Sequence, residues 1–151
     1  MTDVVSPKTR SVMMANIKGK NTKPEMMVRK ALFAQGYRFR LHRKDLPGSP
    51  DVVLPGRNLV IFVNGCFWHS HSACRLAKMP ATRPEFWQTK LERNKNRDLK
   101  SITALAELGW RVLVVWECFI RDQTDLRDLG SAMAGWIEGG QILGDLSRLP
   151  S

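Results

Sequence analysis

Long apolar runs, acidic residues and paired cysteines are all in short supply in this 151-residue sequence. No stretch approaches the roughly 18 consecutive apolar residues that cross a bilayer, so no membrane span is expected. The opening MTDVVSPKTR has no apolar core behind a basic segment and does not read as a secretory signal. A soluble cytoplasmic protein is the expectation. Three cysteines, Cys66, Cys74 and Cys118, are an odd number, which argues against a disulfide framework and leaves metal ligation or plain burial. There is no internal repeat and no low-complexity linker, and the length suits one domain with a real core.

Basic residues are plentiful by contrast. Lys and Arg number 24 against 14 Asp and Glu, a net charge of +10. The excess is uneven. Residues 1–100 hold 20 basic and 7 acidic side chains, and residues 101–151 hold 4 and 7. A basic front and a mildly acidic back suggest one face built for a polyanion, nucleic acid before acidic lipid, since no long basic amphipathic face appears.

Residues 1–20 read as a short helix or a DNA-contacting arm. Thr22, Pro24 and Glu25 form a helix-start signature, with Thr22 as cap and Glu25 closing a capping box. That helix runs to Gly36. Tyr37–Leu41 alternates apolar and basic and reads as a strand with one wet face. Residues 51–54 and 59–63 read as a hairpin about a turn at Pro55–Asn58, the second strand apolar enough to be buried on both faces. An irregular segment rich in Cys, His and Pro follows at 64–84. A long helix then runs from about Pro84 to Leu108, very polar over Lys90–Lys100. Arg111–Trp116 is another buried strand, and a last helix spans about 124–138. Residues 139–151 read as a loosely ordered tail. The order predicts an α/β fold, a mixed sheet flanked by helices.

Cys66, His71, Cys74 and Cys118 make a Cys₃His set, and structural zinc takes four N and S ligands in a tetrahedron. Zinc would clamp the irregular loop onto the sheet, whereas without it the residues are three buried thiols and a surface histidine. Asp51 opens a strand whose hairpin partner ends at Val63 and Asn64. An Asp so placed can hold Mg²⁺, which takes hard oxygen ligands and polarises a phosphodiester. Ser49-Pro50-Asp51 is also an ordinary turn. His69 is the spare histidine of the loop, a general base near a metal-bound phosphate or an alternative zinc ligand. Glu25 is a third acid/base candidate, though the capping box accounts for it as well. Phe67 and Trp68, adjacent in a polar loop, suit insertion between base steps. Phe86 and Trp87 form a second pair, with helix-start packing as the alternative. Met14 could insert from the N-terminal segment or pack as an ordinary helix face. Asn94, Asn96 and the Lys90–Lys100 stretch are candidate DNA contacts.

The run Val60–His69 (VIFVNGCFWH), with Pro50-Asp51, Pro80–Arg83, Glu85–Trp87 and Trp116–Cys118, resembles the very-short-patch-repair DNA mismatch endonucleases, the Vsr family. The Met14–Ile17 and Thr22–Glu25 segments fit as well, so the resemblance covers about residues 8–120. It implies a restriction-endonuclease-like fold. The implied activity is nicking of double-stranded DNA 5′ of the T in a T·G mispair left by deamination of 5-methylcytosine. The resemblance makes Asp51 the Mg²⁺ carboxylate, the Val63 carbonyl a further ligand, His69 the activator of water and Glu25 an aid through the metal's water shell. Cys66, His71, Cys74 and Cys118 become the structural zinc set. Phe67, Trp68 and Trp87 become a major-groove wedge, and Met14 enters the minor groove. Mismatch-repair proteins and a cytosine methyltransferase are the implied partners, and a monomer suffices for a single-strand nick. The sequence departs from the family at Asn64, often His or Asp there. Asn cannot take a proton at neutral pH, which puts more weight on His69. No Glu-x-Lys follows Asp51 on the partner strand, an absence shared with this family.

Overall fold

The computed structural model describes residues 22–71 and 74–147; the arm at 1–20, with Met14, lies outside them. Helix α1 (Lys23–Ala34) starts where its cap signature places it: the Thr22 hydroxyl accepts from the Glu25 amide at 3.3 Å and Pro24 sits in the first turn. Gly36, at φ +93°, turns the chain out of the helix in a conformation that disfavours a side chain. α1 buries Val28, Ala31 and Leu32 along one stripe, with Glu25 one turn earlier on the same face.

Five strands form one sheet in the order β1-β2-β3-β4-β5. The expected strand at 37–41 shrinks to β1 (Arg40–Leu41), because its partner β2 (Val52–Leu54) offers only three residues to pair with. β2 and β3 (Leu59–Asn64) form the expected antiparallel hairpin, closed by a 3₁₀ turn at Pro55–Arg57 and by Asn58 in the left-handed region at φ 51°. β4 (Arg111–Trp116) lies parallel to β3, from Leu59 opposite Arg111 to Asn64 opposite Trp116. The crossover between them is the long helix α2 (Pro84–Glu107).

Alternation along β3 sorts the two cores. Leu59 and Ile61 face α1, the short helix α3 (Glu117–Asp122) and α4 (Leu126–Glu138), meeting Val28, Leu32, Ile120, Leu129 and Met133. Val60 packs on the opposite face with Val53, Val112, Val114 and Leu105 of α2. Helices therefore cover both faces of a sheet whose central strands are apolar over Leu59–Val63 and Val112–Trp116.

Within the stretch read as a loose tail, the reading is corrected at residues 143–146. Leu143–Leu146 forms β5, parallel to β4 with Val112 opposite Leu143 and Val115 opposite Leu146. Four residues with an exposed, half-buried alternation carry too little apolar signal to announce a strand, and the ladder comes from the open edge of β4. The helix α3, which holds Cys118, was also not foreseen. Its six residues directly follow a strand and merge with it in the hydrophobicity pattern.

Candidate active site and metal centre

The parallel register of β3 and β4 builds the first cluster. Asn64 pairs with Trp116 at the ends of the two strands, so the residues two further on, Cys66 and Cys118, emerge side by side. The Cys118 amide donates to Cys66 Sγ at 3.3 Å. The His71 amide donates back to the Cys66 carbonyl at 2.9 Å, which curls the loop and returns His71 to the strand ends. The ligating atoms of Cys66, His71, Cys74 and Cys118 all lie within 4.8 Å of one another, every one of these residues is buried, and the three thiols are free. A zinc tetrahedron with Zn–S bonds of about 2.3 Å has edges of about 3.8 Å, so the set fits a closed metal site. Burial pushes the Cys66 thiol above and the His71 imidazole below their ordinary values. An imidazole kept neutral is in the form that ligates.

His71 is held from behind. Its ring stacks on Trp116 at 3.9 Å and 5°. Nδ1 is 3.5 Å from Cys118 Sγ, and Nε2 is 3.0 Å from the Ser147 hydroxyl. Nδ1 is thus the nitrogen turned to the sulfurs, and an Nε2–H donated to Ser147 would fix that tautomer. The Trp116 indole N–H in turn donates to Asp145 of β5 at 3.1 Å. Asp145 and Ser147, in the stretch read as a loose tail, therefore brace the Cys/His cluster.

Beside this cluster opens a cleft of about 1240 Å³, lined by α1, the β2–β3 hairpin, the Cys66–His71 loop and α2. Asp51 enters it from the start of β2 and accepts the Val63 amide at 2.7 Å through Oδ2. Burial pushes its carboxyl up to about 7; the Val63 amide and the nearby His69 and Arg29 pull it down, and Glu25 raises it further. Glu25, only 3% exposed, lies 3.0 Å from Arg29 Nη2 and 3.5 Å from His42 Nε2. One ligand atom from each of Glu25, His42 and Asp51 falls within a 4.8 Å set.

On the other wall His69 Nδ1 lies 2.5 Å from Asp98 Oδ2 of α2. An acceptor-only carboxylate there makes Nδ1 the protonated nitrogen and leaves Nε2 as the proton acceptor. Asn64 is nearly buried at the end of β3 and lines the same cleft. Phe67, Trp68 and Trp87 gather in edge-on contacts with centroids 5.0, 5.5 and 5.9 Å apart, and Phe86 adds one at 5.2 Å from Trp87. None of these four rings joins a hydrophobic core of the described residues.

The model of the family described as DNA mismatch endonuclease Vsr matches residues 2–75. The type II nicking enzyme V.XorIIP of Xanthomonas oryzae is 52% identical over 134 residues, 89% of this chain and 93% of that one. The DNA mismatch endonuclease Vsr of Escherichia coli is 45% identical over 141 residues, 92% and 90% of the two chains. The chain belongs to the Vsr family of DNA mismatch endonucleases. The type II nicking enzyme V.NmeAIP of Neisseria meningitidis is 42% identical over 128 residues, 85% of this chain and 91% of its own. The mixed sheet between helices is the restriction-endonuclease-like α/β architecture of the Vsr family.

Within this Vsr-family chain, Asp51, His69, Glu25 and Asn64 line one cleft, and Val63 borders it. Cys66, His71, Cys74 and Cys118 form one cluster, and Phe67, Trp68 and Trp87 share one aromatic group. Met14 lies outside the described residues. Asn94, read as a candidate DNA contact, donates to the Trp68 carbonyl at 3.1 Å and so ties α2 to the loop. Lys90, Arg93, Lys95, Arg97 and Lys100 are exposed along the same helix.

Four polar partners escaped the sequence reading: His42, Arg29, Asp98 and Ser147. His42 follows Leu41, which pairs with Val52, and its amide donates to the Asp51 carbonyl at 3.3 Å. Recognising that β1 pairs with β2 would have placed His42 opposite Asp51. Asp98 had a weaker signal, as one of two acids in the basic Lys90–Lys100 stretch.

Proposed function

We propose that this chain is a Mg²⁺-dependent endonuclease that nicks the T-containing strand 5′ of a T·G mispair in double-stranded DNA. Structural zinc would stiffen the loop that carries its aromatic wedge. Family membership makes it a DNA-nicking phosphodiester hydrolase. The observation that carries the finer reading is the meeting, in one cleft, of a half-buried carboxyl at Asp51, a His69–Asp98 pair and Trp68, whose ring belongs to the cluster with Phe67 and Trp87.

Asp51 suits a hard divalent ion. Its carboxyl is costly to ionise in place, and a cation at that position relieves the cost. In a strand the N–H and C=O of one residue point to the same side, so the Val63 carbonyl shares the side of the amide that reaches Asp51. Bound there, Mg²⁺ supplies charge stabilisation to the phosphate under attack and to the departing oxygen. His69 Nε2 takes a proton from the attacking water while Asp98 holds the ring and stabilises the imidazolium. The water oxygen joins phosphorus, and the 3′-oxygen leaves with its bonding pair. Glu25, held by Arg29, would order water beside a bound ion. Asn64 acts only as a hydrogen-bonding partner for water or phosphate.

Zinc at Cys66, His71, Cys74 and Cys118 supplies rigidity rather than chemistry, since four protein ligands leave no open position. The adjoining residues 67 and 68 then present the edge of an aromatic blade to a base step, where a weak pair costs least to unstack. The exposed lysines and arginines of α2 supply phosphate contacts, and affinity falls steeply with salt. Among the described residues no helix is long and apolar enough to cross a membrane. The setting we read is the cytoplasm, with a monomer acting beside mismatch-repair proteins and a cytosine methyltransferase.

The test is a nicking assay on duplexes carrying T·G, a matched T·A and a branched junction, in Mg²⁺. Nicking confined to T·G, lost in Asp51→Ala with DNA binding retained, is the expected result. Equal cleavage of the junction would overturn the substrate, and undiminished nicking by Asp51→Ala would overturn the role of that carboxyl.

A further inference from the structure

The turn that leaves β3 hangs its two histidines on consecutive carbonyls. The His69 amide donates to the Gly65 carbonyl at 3.2 Å, and the His71 amide to the Cys66 carbonyl at 2.9 Å. One imidazole lines the cleft and the other joins the sulfur cluster. The Gly65 carbonyl belongs to the same peptide plane as the Cys66 N–H. That plane is rigid, and its C=O and N–H point in opposite directions. Whatever holds the N–H therefore sets where the carbonyl points, and with it the backbone of His69. The β3–β4 ladder ends at Asn64 opposite Trp116, because the chain turns into α3 at Glu117. Cys66 is fully buried, and a buried amide without an acceptor is costly. Glu117 supplies that acceptor, its Oε1 lying 3.4 Å from the Cys66 nitrogen. Arg121, one turn on, takes Oε2 at 2.7 Å and so turns Oε1 to the loop. The Glu117 side chain is 21% exposed and borders the cleft.

We propose that Glu117 is a positioning residue for the nicking reaction, gripping the Gly65–Cys66 peptide by its N–H so that the carbonyl of that peptide holds His69 at its reach into the cleft. This inference rests on the reading of His69 as the group that takes a proton from water, and adds the device that places it. Asp98 orients the ring from α2, while Glu117 fixes the backbone from the end of β4. The donor is a neutral amide, so the geometry calls for an acceptor rather than for a negative charge. A brace serving the sulfur cluster alone would act through the neighbouring Cys118, and its removal would show as lost zinc. A grip on the peptide acts through His69, and its removal shows as lost rate with the zinc in place.

The test is single-turnover nicking of a T·G duplex in Mg²⁺ by the full-length, zinc-loaded protein, with enzyme in excess. Glu117→Ala should slow the saturated rate by about tenfold to 10²-fold, the cost of a small misplacement of a reacting group. The enzyme concentration at half-saturation and the zinc content should stay as in the wild type. Glu117→Gln keeps the acceptor and loses the ion pair with Arg121, and it should restore most of the rate. The Cys66 amide proton, followed by ¹⁵N–¹H correlation spectra, should shift upfield in Glu117→Ala and return in Glu117→Gln. In a His69→Ala background, Glu117→Ala should cost little more, because the two act through one group. If Glu117→Ala fails to fold by circular dichroism, Glu117→Met, which keeps the apolar stem, takes its place. A wild-type rate in Glu117→Ala, a Glu117→Gln variant as slow as it, or an undiminished further loss in the His69→Ala background would overturn the inference. So would a rate loss that merely tracks lost zinc. Undiminished nicking by His69→Ala alone would instead overturn the reading of His69 on which it rests.

Discussion

Replacing Asp51 by Asn should make the metal-free protein more stable, and more so as the pH rises. The Asp51 carboxyl is raised from 3.8 to about 7 by burial. Its folded value lies above its unfolded one, so the folded state keeps its proton where the unfolded chain has released it. The stability this group contributes is whole below pH 4 and is lost progressively as pH climbs through 7. A shift of about 3 units corresponds to about 4 kcal/mol in total, of which about 2 to 3 kcal/mol falls between pH 5 and pH 8. Asn does not titrate, and its side-chain carbonyl can still accept the Val63 amide, so the variant should escape this loss. At roughly 2 to 4 °C per kcal/mol for a chain of this size, the gap in Tm between variant and wild type should widen by about 5 to 10 °C from pH 5 to pH 8. The assay is thermal unfolding by circular dichroism on zinc-loaded protein, without Mg²⁺ and without chelator, which would strip the cysteines. Millimolar Mg²⁺ at pH 8 should then raise the Tm of the wild type and leave the variant unmoved. A gap that stays constant from pH 5 to pH 8 would refute the claim that burial strains this carboxyl. An equal response of both proteins to Mg²⁺ would refute the claim that the strain is relieved by metal.

Cys118→Ser should lower zinc content and unfold the 66–77 loop at a cost of several kcal/mol, read by metal analysis and circular dichroism. Ser147→Ala, which removes the hydroxyl partner of His71 Nε2, should weaken zinc binding by about tenfold or more in a chelator competition. Asp98→Asn should slow single-turnover nicking by about 10²-fold with DNA affinity unchanged, because it leaves the His69 ring without its charge partner. Trp68→Ala should reduce the preference for a T·G duplex over a matched one in binding assays, and an equal loss on both duplexes would count against insertion.

What the sequence could and could not disclose divides along a physical line. Helix α1, the β2–β3 hairpin and the apolar run of β4 are locally determined: a capped start, a Pro55–Asn58 turn and a buried strand each stabilise themselves over a few neighbours. The cluster of Cys66, His71, Cys74 and Cys118 was legible for a different reason. Thiols and imidazoles have few other uses in combination, so chemistry stood in for geometry. β5 had neither kind of signal. Leu143, Gly144, Asp145 and Leu146 would not form a strand alone and do so because β4 presents an unpaired edge. The same holds for the partners that were missed. Asp98 is 29 residues from His69 and Ser147 is 76 from His71, and nothing local marks either as anything but a surface polar residue.

The groups that attract ligands, Asp51, His69 and the cysteines, are types whose reactivity is visible in a string of letters. The groups that tune them are ordinary residues made special by the fold. Arg29 illustrates the difference. On a helix surface an arginine four residues after a glutamate contributes a few tenths of a kcal/mol. Here α1 turns that same pair inward, and β1 sets His42 opposite Asp51 to receive it. The spacing is unchanged, yet the pair now lies buried and its charges act on the Asp51 carboxyl. Function at this site therefore depends on which face α1 buries. A substitution that rotated the helix, such as a polar residue in place of Val28 or Leu32, would displace Glu25 and Arg29 together without touching either.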